Sequence, residues 1–286
     1  MLSRLRTYAS FVRLGHSIFA LPFALTGALL AAQSHPITWR QVAWIGSAMV
    51  CARSAAMSFN RIVDARFDAE NPRTAGRELP RGVMSRREAV VFVVASSAGF
   101  MYAAFQLSTL CFALSPLALA IVFWYSLAKR YTWSTQFFLG LAMAVAPVGG
   151  WLAVGGRAGW EPWLLGLAIG LWVAGFDVLY ACQDLEFDRA VGLYSVPKRF
   201  GIAGALWIAR GMHVAMIALL IWLAASFHLF WPAWAGVAVV AALLAYEHSL
   251  VRPNDLGRLN AAFFTVNGYI SLLFFVFWGA AVWLSR

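Results

Sequence analysis

Charge is what this 286-residue chain has least of. Only 12% of its residues are charged and only twelve are Asp or Glu, while 62% are hydrophobic. A soluble domain carries roughly twice that charged fraction. An aqueous globular fold is therefore excluded, and a polytopic all-α membrane protein remains. Cysteine is equally thin. Cys51, Cys111 and Cys182 fall inside apolar stretches with no metal-ligand spacing, so they read as small buried hydrophobes. The shortage of acids leaves a net charge of +10. No nucleic acid partner is implied, because the basic residues flank apolar spans instead of forming a soluble basic face.

What is present is a series of apolar windows long enough to cross a bilayer. They lie at about 16–33, 41–59, 88–107, 109–127, 134–154, 162–182, 202–225, 231–250 and 260–284. Nine transmembrane helices are expected, with the third and fourth separated only by a turn near Leu107–Thr109. The first window follows Arg4, Arg6 and Arg13, as a signal peptide would. It lacks a small-x-small cleavage site and eight spans follow, so a retained helix is expected. Pro22, Pro116 and Pro147 fall inside spans, where neighbouring helices can satisfy the freed carbonyls.

Basic residues set the expected orientation. The amino terminus, the 60–87 segment and the loops after helices four, six and eight carry seventeen; the other side carries Arg40, Arg157 and Arg286. The amino terminus and these loops are thus expected in the cytoplasm, in an inner (plasma) membrane. Trp39, Trp44, Trp160, Trp163, Trp231 and Trp234 gather at the opposite ends, as an interfacial belt does.

The few acids are not scattered. Asn60, Asp64 and Asp68 recur every four residues, and 120 positions later Tyr180, Asp184 and Asp188 do the same, with Asp177 before them. On helices each set projects from one face. Pro80 and Gly82 follow the first set much as Pro197 and Gly201 follow the second. This suggests a single domain over 1–286 with pseudo-repeated halves, about 1–130 and 131–286, facing one cavity. Carboxylates converging without a cation repel each other and partly protonate. Hard oxygen ligands of this kind suit Mg²⁺, which shares itself with phosphate. An EF-hand is excluded: a loop starting at Asp184 would need Gly at Arg189 and Glu at Ser195. The plain alternative is a solvated rim of charge, which the two matching sets disfavour.

Arg73, Arg77, Arg81, Lys129, Arg130, Lys198 and Arg199 stand beside the acids. Guanidinium groups fork onto phosphate oxygens, so a metal with such groups makes a diphosphate clamp. The positive-inside rule alone accounts for Arg81, Arg86 and Arg87 equally well. Arg53 and Asp177 lie within spans, where a lipid-facing charge costs about 2.5–3.5 kcal/mol on insertion scales. Both are expected to line the cavity, as a pair or a binding site. His213, Gln106 and Asn267 read as helix–helix contacts.

Four stretches carry a family resemblance: His16–Phe23 (HSIFALPF), Asn60–Gly82 (NRIVDARFDAENPRTAGRELPRG), Tyr125–Tyr131 (YSLAKRY) and Asp177–Gly201 (DVLYACQDLEFDRAVGLYSVPKRFG). Together they resemble the UbiA superfamily of intramembrane prenyltransferases. The wording is similar to bacterial members that use 4-hydroxybenzoate and to relatives that prenylate a dihydroxynaphthoate in the futalosine route to menaquinone. The resemblance implies a prenyl-synthase-like bundle whose cavity opens sideways to membrane lipid. It implies Mg²⁺ held by Asp64, Asp68, Asp184 and Asp188 with Asn60 assisting. It also implies transfer of a polyprenyl chain from polyprenyl diphosphate to an aromatic acid. Arg73, Lys129 and Lys198 would neutralise the leaving diphosphate, Tyr125 and Tyr180 would face the allylic cation, and Arg53 would anchor the acceptor's carboxylate. Many relatives have Asp where this chain has Arg61, so Arg61 is expected to contact phosphate instead. A haem or chlorin acceptor, or a transporter, is the alternative.

Overall fold

The computed structural model describes residues 11, 20–155, 159–259 and 265–285. Arg4, Arg6, Arg13, Arg157, Arg286, the first half of the His16–Phe23 motif and the first residues of the last window lie outside them. Among the described residues nine helices follow the nine windows: α1 (Leu21–Ala31), α2 (Trp39–Glu70), α3 (Arg86–Leu107), α4 (Thr109–Ala128), α5 (Thr135–Ala153), α6 (Glu161–Ala181), α8 (Val196–Ser226), α9 (Trp231–Ser249) and α10 (Asn267–Leu284). Between α6 and α8 come a 3₁₀ turn (Cys182–Asp184) and the short α7 (Leu185–Ala190). The described residues contain no strand beyond an isolated bridge, Arg252 to Asp255. Seven of these helices are long and apolar enough to cross a membrane, α6 being counted with its extension to Ala190. The described part of α1 is shorter, and α9 closes on the polar pair Glu247–His248.

Local chemistry sets the helix ends. Thr38 and Gln41 form a capping box on α2, and Ser85 and Glu88 form one on α3, each satisfying two amide donors. Ser108 both ends α3 and begins α4. Its backbone is extended (φ −164°, ψ 160°) and its hydroxyl accepts from the Cys111 amide, so the expected turn between the third and fourth spans is one residue. α8 starts six residues earlier than hydropathy suggests, because Ser195 caps it and Gly201 (φ 71°, ψ 170°) lets it kink without stopping.

The main core gathers residues of α1, α5, α6, α8, α9 and α10 around Phe23, Trp172, Phe274 and Trp278. Large apolar side chains such as Val91, Phe105, Trp207, Val214 and Trp283 point outward, as lipid-facing positions do. Some helix contacts are backbone on backbone. A Cβ on Gly27 would run into the Pro147 carbonyl, one on Gly150 into that of Ala24, and one on Gly140 into that of Gly170. Small residues permit this approach in membranes. Gly150→Ala places its methyl against backbone that cannot yield. It should destabilise the bundle by about 1–3 kcal/mol, read as a lower melting temperature in detergent; an unchanged melting temperature would contradict the α1–α5 packing.

Candidate active site

The first acidic set stands on α2 itself. Hydropathy ends near residue 59, yet the helix runs on to Glu70, so Asn60, Asp64 and Asp68 share one helical face. Asn60 Nδ2 donates to Asp64 Oδ2 at 3.2 Å. Asp64 and Asp68 are buried, so their charges need local compensation.

Both receive it. Asp64 accepts from Lys129 Nζ on Oδ2 and from Arg130 Nη2 on Oδ1, each at 2.7 Å. Arg130 also donates to the carbonyls of Ser126 and Val63 and lies over the Phe67 ring. It is a strut joining α4 to α2. Asp68 takes Arg77 Nη1 on both oxygens, at 2.7 and 2.8 Å. The segment carrying Arg77 is folded back by Asn71, whose Oδ1 accepts the Arg73 amide, and by Thr74, whose hydroxyl donates to the Asp68 carbonyl.

Arg61 departs from expectation. It is 3% exposed, donates to Glu78 Oε2 at 3.2 Å and sits over the Phe11 ring. The missing Asp of the motif is replaced by a buried ion pair that fastens the returning segment to α2. Sequence reasoning missed Glu78; a buried arginine needs a carboxylate, and Glu78 stands seventeen residues on in the same stretch.

The second set is not one continuous helix. α6 ends at Ala181 and a 3₁₀ turn intervenes before α7, so the expected four-residue face is broken between Tyr180 and Asp188. Tyr180 and Asp184 still meet one partner: Arg73 donates to the Tyr180 hydroxyl and to Asp184 Oδ2, with its guanidinium 5.0 Å from the Tyr180 ring centroid. The ring face expected to meet an allylic cation is occupied by arginine in this state. Lys198 Nζ donates to the carbonyls of Asp188 and Leu193, at 3.2 and 2.6 Å.

Lys129 also meets the segment that follows the second acidic set. Besides its bond to Asp64, its charge acts on Asp177 and Asp188, and its carbonyl accepts the Tyr194 amide at 2.8 Å. Arg73 and Asp184 likewise act on Asp177.

Beside these groups lies a cavity of about 610 Å³ lined by each of the helices α1 to α6, its walls almost wholly apolar. Arg53 and Tyr125 line it. Tyr125 has Arg53, Asp64 and Asp177 as charged neighbours, which puts both intramembrane charges at the junction of cavity and acidic sets. Leu117, Leu141 and Leu167 line the cavity and are also exposed on the outer surface. The cavity therefore reaches the lipid-facing side between α4, α5 and α6.

Among the described residues no three His, Cys, Asp or Glu side chains are grouped to hold a metal ion. Each of Asp64, Asp68 and Asp184 is held by a base instead. The donor set still fits Mg²⁺, since carboxylate and amide oxygens are the hard ligands it takes. The basic groups now on the carboxylates are of the kind that bind phosphate.

Known proteins share this chain's sequence pattern and fold. Along the sequence, the chain is 32% identical to 4-hydroxybenzoate octaprenyltransferase of Enterobacter sp. strain 638, over 81% of this chain and 79% of that one. It is 33% identical to the enzyme of that name from Citrobacter koseri, over 78% and 77%. The fold superposes on the apo structure of a UbiA homologue from Aeropyrum pernix K1 with a TM-score of 0.85 and 36% identity, covering 94% of this chain and 98% of that one. A UbiA homologue from Archaeoglobus fulgidus bound to DMAPP and Mg²⁺ shares the fold, with a TM-score of 0.78 at 20% identity over 97% and 99%. Residues 20–283 match the UbiA prenyltransferase family, and with both acidic sets inside that match this multi-pass membrane chain belongs to it.

Proposed function

We propose that this single-domain protein transfers a polyprenyl chain from polyprenyl diphosphate to an aromatic hydroxy acid, 4-hydroxybenzoate or a dihydroxynaphthoate, in quinone biosynthesis. The observation that carries this is the pairing of the acidic sets with bases directly beside an apolar cavity: Lys129 and Arg130 hold Asp64, Arg77 holds Asp68 and Arg73 holds Asp184. The names of the relatives support the reaction class and the acceptor.

Asn60, Asp64, Asp68, Asp184 and Asp188 would hold Mg²⁺, which when bound supplies positive charge to the leaving diphosphate. The chain's own residues do the rest. Arg73, Arg77 and Lys129 are neutralised by carboxylates in the free state. Partner exchange on substrate binding frees them for phosphate oxygens, so the site passes between two balanced charge states without exposing a bare buried charge. The allylic carbon–oxygen bond breaks with its electron pair going to diphosphate. Preorganised cations aimed at that charge lower the barrier. Arg73, on leaving Tyr180, uncovers the ring face, and Tyr125 offers another at the cavity. Apolar walls keep water from the carbocation. A ring carbon of the acceptor then forms the new carbon–carbon bond, and loss of its proton restores aromaticity. Arg53 supplies a cation in the apolar wall for the acceptor's carboxylate, with Asp177 nearby orienting it. The isoprenoid tail leaves through the lipid-facing side.

The asymmetry of basic residues supports a cytoplasmic active face and amino terminus in the inner membrane. The test is a membrane assay with Mg²⁺, radiolabelled polyprenyl diphosphate and the two acceptors offered separately. One of them should become labelled, with release of diphosphate. Labelling of haem or a chlorin instead would overturn the acceptor, and ion-coupled flux in proteoliposomes without turnover would overturn the enzyme.

A further inference from the structure

A second buried polar group lies away from the carboxylates and begins and ends on one residue, Trp172 of α6. Its carbonyl accepts from His213 Nε2 of α8 at 3.2 Å, and its indole Nε1 donates to Asn267 Oδ1 of α10 at 2.9 Å. Asn267 Nδ2 donates to Glu247 Oε1 of α9 at 2.8 Å. His248, the next residue, is 2.9 Å from His213 Nδ1 through its Nε2. The carbonyl fixes the tautomer: a neutral His213 ring carrying its proton on Nε2 accepts at Nδ1, so His248 is the donor. The circuit thus closes through four helices. Trp172, His213, Glu247 and Asn267 are each at most 3% exposed, and Gly175 is what makes room, because a Cβ there would strike the His213 ring.

α6 carries half of the candidate site: Asp177 is five residues past Trp172, Tyr180 eight, and the turn with Asp184 follows. Against α5 this helix packs through glycines 140, 166 and 170. Such contacts allow close approach but give little resistance to sliding or rotation. Directional bonds supply what smooth packing lacks, and inside a membrane few other groups compete for them.

We propose that the Trp172 circuit is a positioning device. It fixes the height and rotation of α6, and so places the second acidic set against the first. His213, Glu247, His248 and Asn267 touch no substrate; they are positioning residues. The link to catalysis rests on the site described under the proposed function, whereas the placement of α6 does not.

The experiment measures placement directly. Spin labels go on Cys replacing Arg66 and Glu186, whose side chains are both 87% exposed, in a background with Cys51, Cys111 and Cys182 changed to Ser. His213→Phe and Trp172→Phe remove hydrogen bonds while keeping an aromatic ring. The label distance should shift by at least one residue's rise, about 1.5 Å, or broaden by as much. His213→Gln keeps a donor near Nε2 and should restore the parental distance. Trp278→Phe is the control: that buried indole has no hydrogen-bond partner, so the same lost volume should leave the distance unchanged. In the unlabelled enzyme the first two variants should raise the Mg²⁺ concentration for half-maximal turnover about tenfold. Unchanged distances in His213→Phe and Trp172→Phe, or an equal shift in Trp278→Phe, would overturn the proposal. Shifted distances in a protein that turns over no polyprenyl diphosphate would leave the positioning device standing and remove the proposed function instead.

Discussion

Asp184→Asn should lower the rate of diphosphate release by about 10²–10³, the loss typical of deleting one charge-stabilising group aimed at a transition state, while the protein still folds. The second half follows from exposure. The Asp184 carboxylate is 23% exposed and its partner Arg73 36%, and an ion pair this open to water contributes about 1 kcal/mol or less. Asparagine keeps the shape and one acceptor oxygen, so Arg73 and Tyr180 stay close. Asp64→Asn would be a poorer test. That carboxylate is 3% exposed and balances two cations, and breaking such a pair costs about 3–5 kcal/mol, which mixes folding with function. The measurement is Mg²⁺-dependent release of diphosphate by detergent-solubilised Asp184→Asn at matched melting temperature. Near-normal turnover would remove Asp184 from the site.

Much of this was legible because lipid leaves a strong mark on sequence. Each long helix stands where an apolar window predicts it, and even the one-residue break at Ser108 was visible. Hydropathy, however, reports where lipid ends and not where a helix ends. α2 therefore outruns its window by eleven residues, and that extension is what displays Asn60, Asp64 and Asp68. The four-residue spacing misled in the second set, since spacing assumes an unbroken helix and a 3₁₀ turn intervenes at Cys182–Asp184. The Arg61–Glu78 pair was hidden for another reason. The chemistry of Arg61 suits phosphate, but the choice between phosphate and Glu78 depends on which way the 71–85 segment folds back, which no local pattern states. The carboxylates were expected together, yet Asp64, Asp68 and Asp184 are each held by a base, and those bases arrive from the end of α4 and from the returning segment. His213 and Asn267 read correctly as helix–helix contacts; their closure through Trp172 required four helices to be in place.

Lys129→Met carries the other large effect, because it removes one charge from three carboxylates at once. Methionine preserves the length of the side chain, so packing changes little. The charge balance changes sharply: Asp64 keeps Arg130, but Asp177 and Asp188 lose a cation that acts on both. Two consequences follow in opposite directions. Fewer bases compete for the carboxylates, so Mg²⁺ alone should bind no worse. The developing diphosphate charge loses a cation, so maximal turnover should fall about 10²–10³. Lys129→Arg tells charge from geometry, since it keeps the charge but spreads it over a planar fork. It should recover part of the rate, with the KM for polyprenyl diphosphate closer to the parent than its kcat. Steady-state kinetics over a range of Mg²⁺ concentrations reads all three quantities. If Lys129→Met instead needs far more Mg²⁺ yet reaches the parental rate at saturation, Lys129 organises the metal site and does not meet the leaving group.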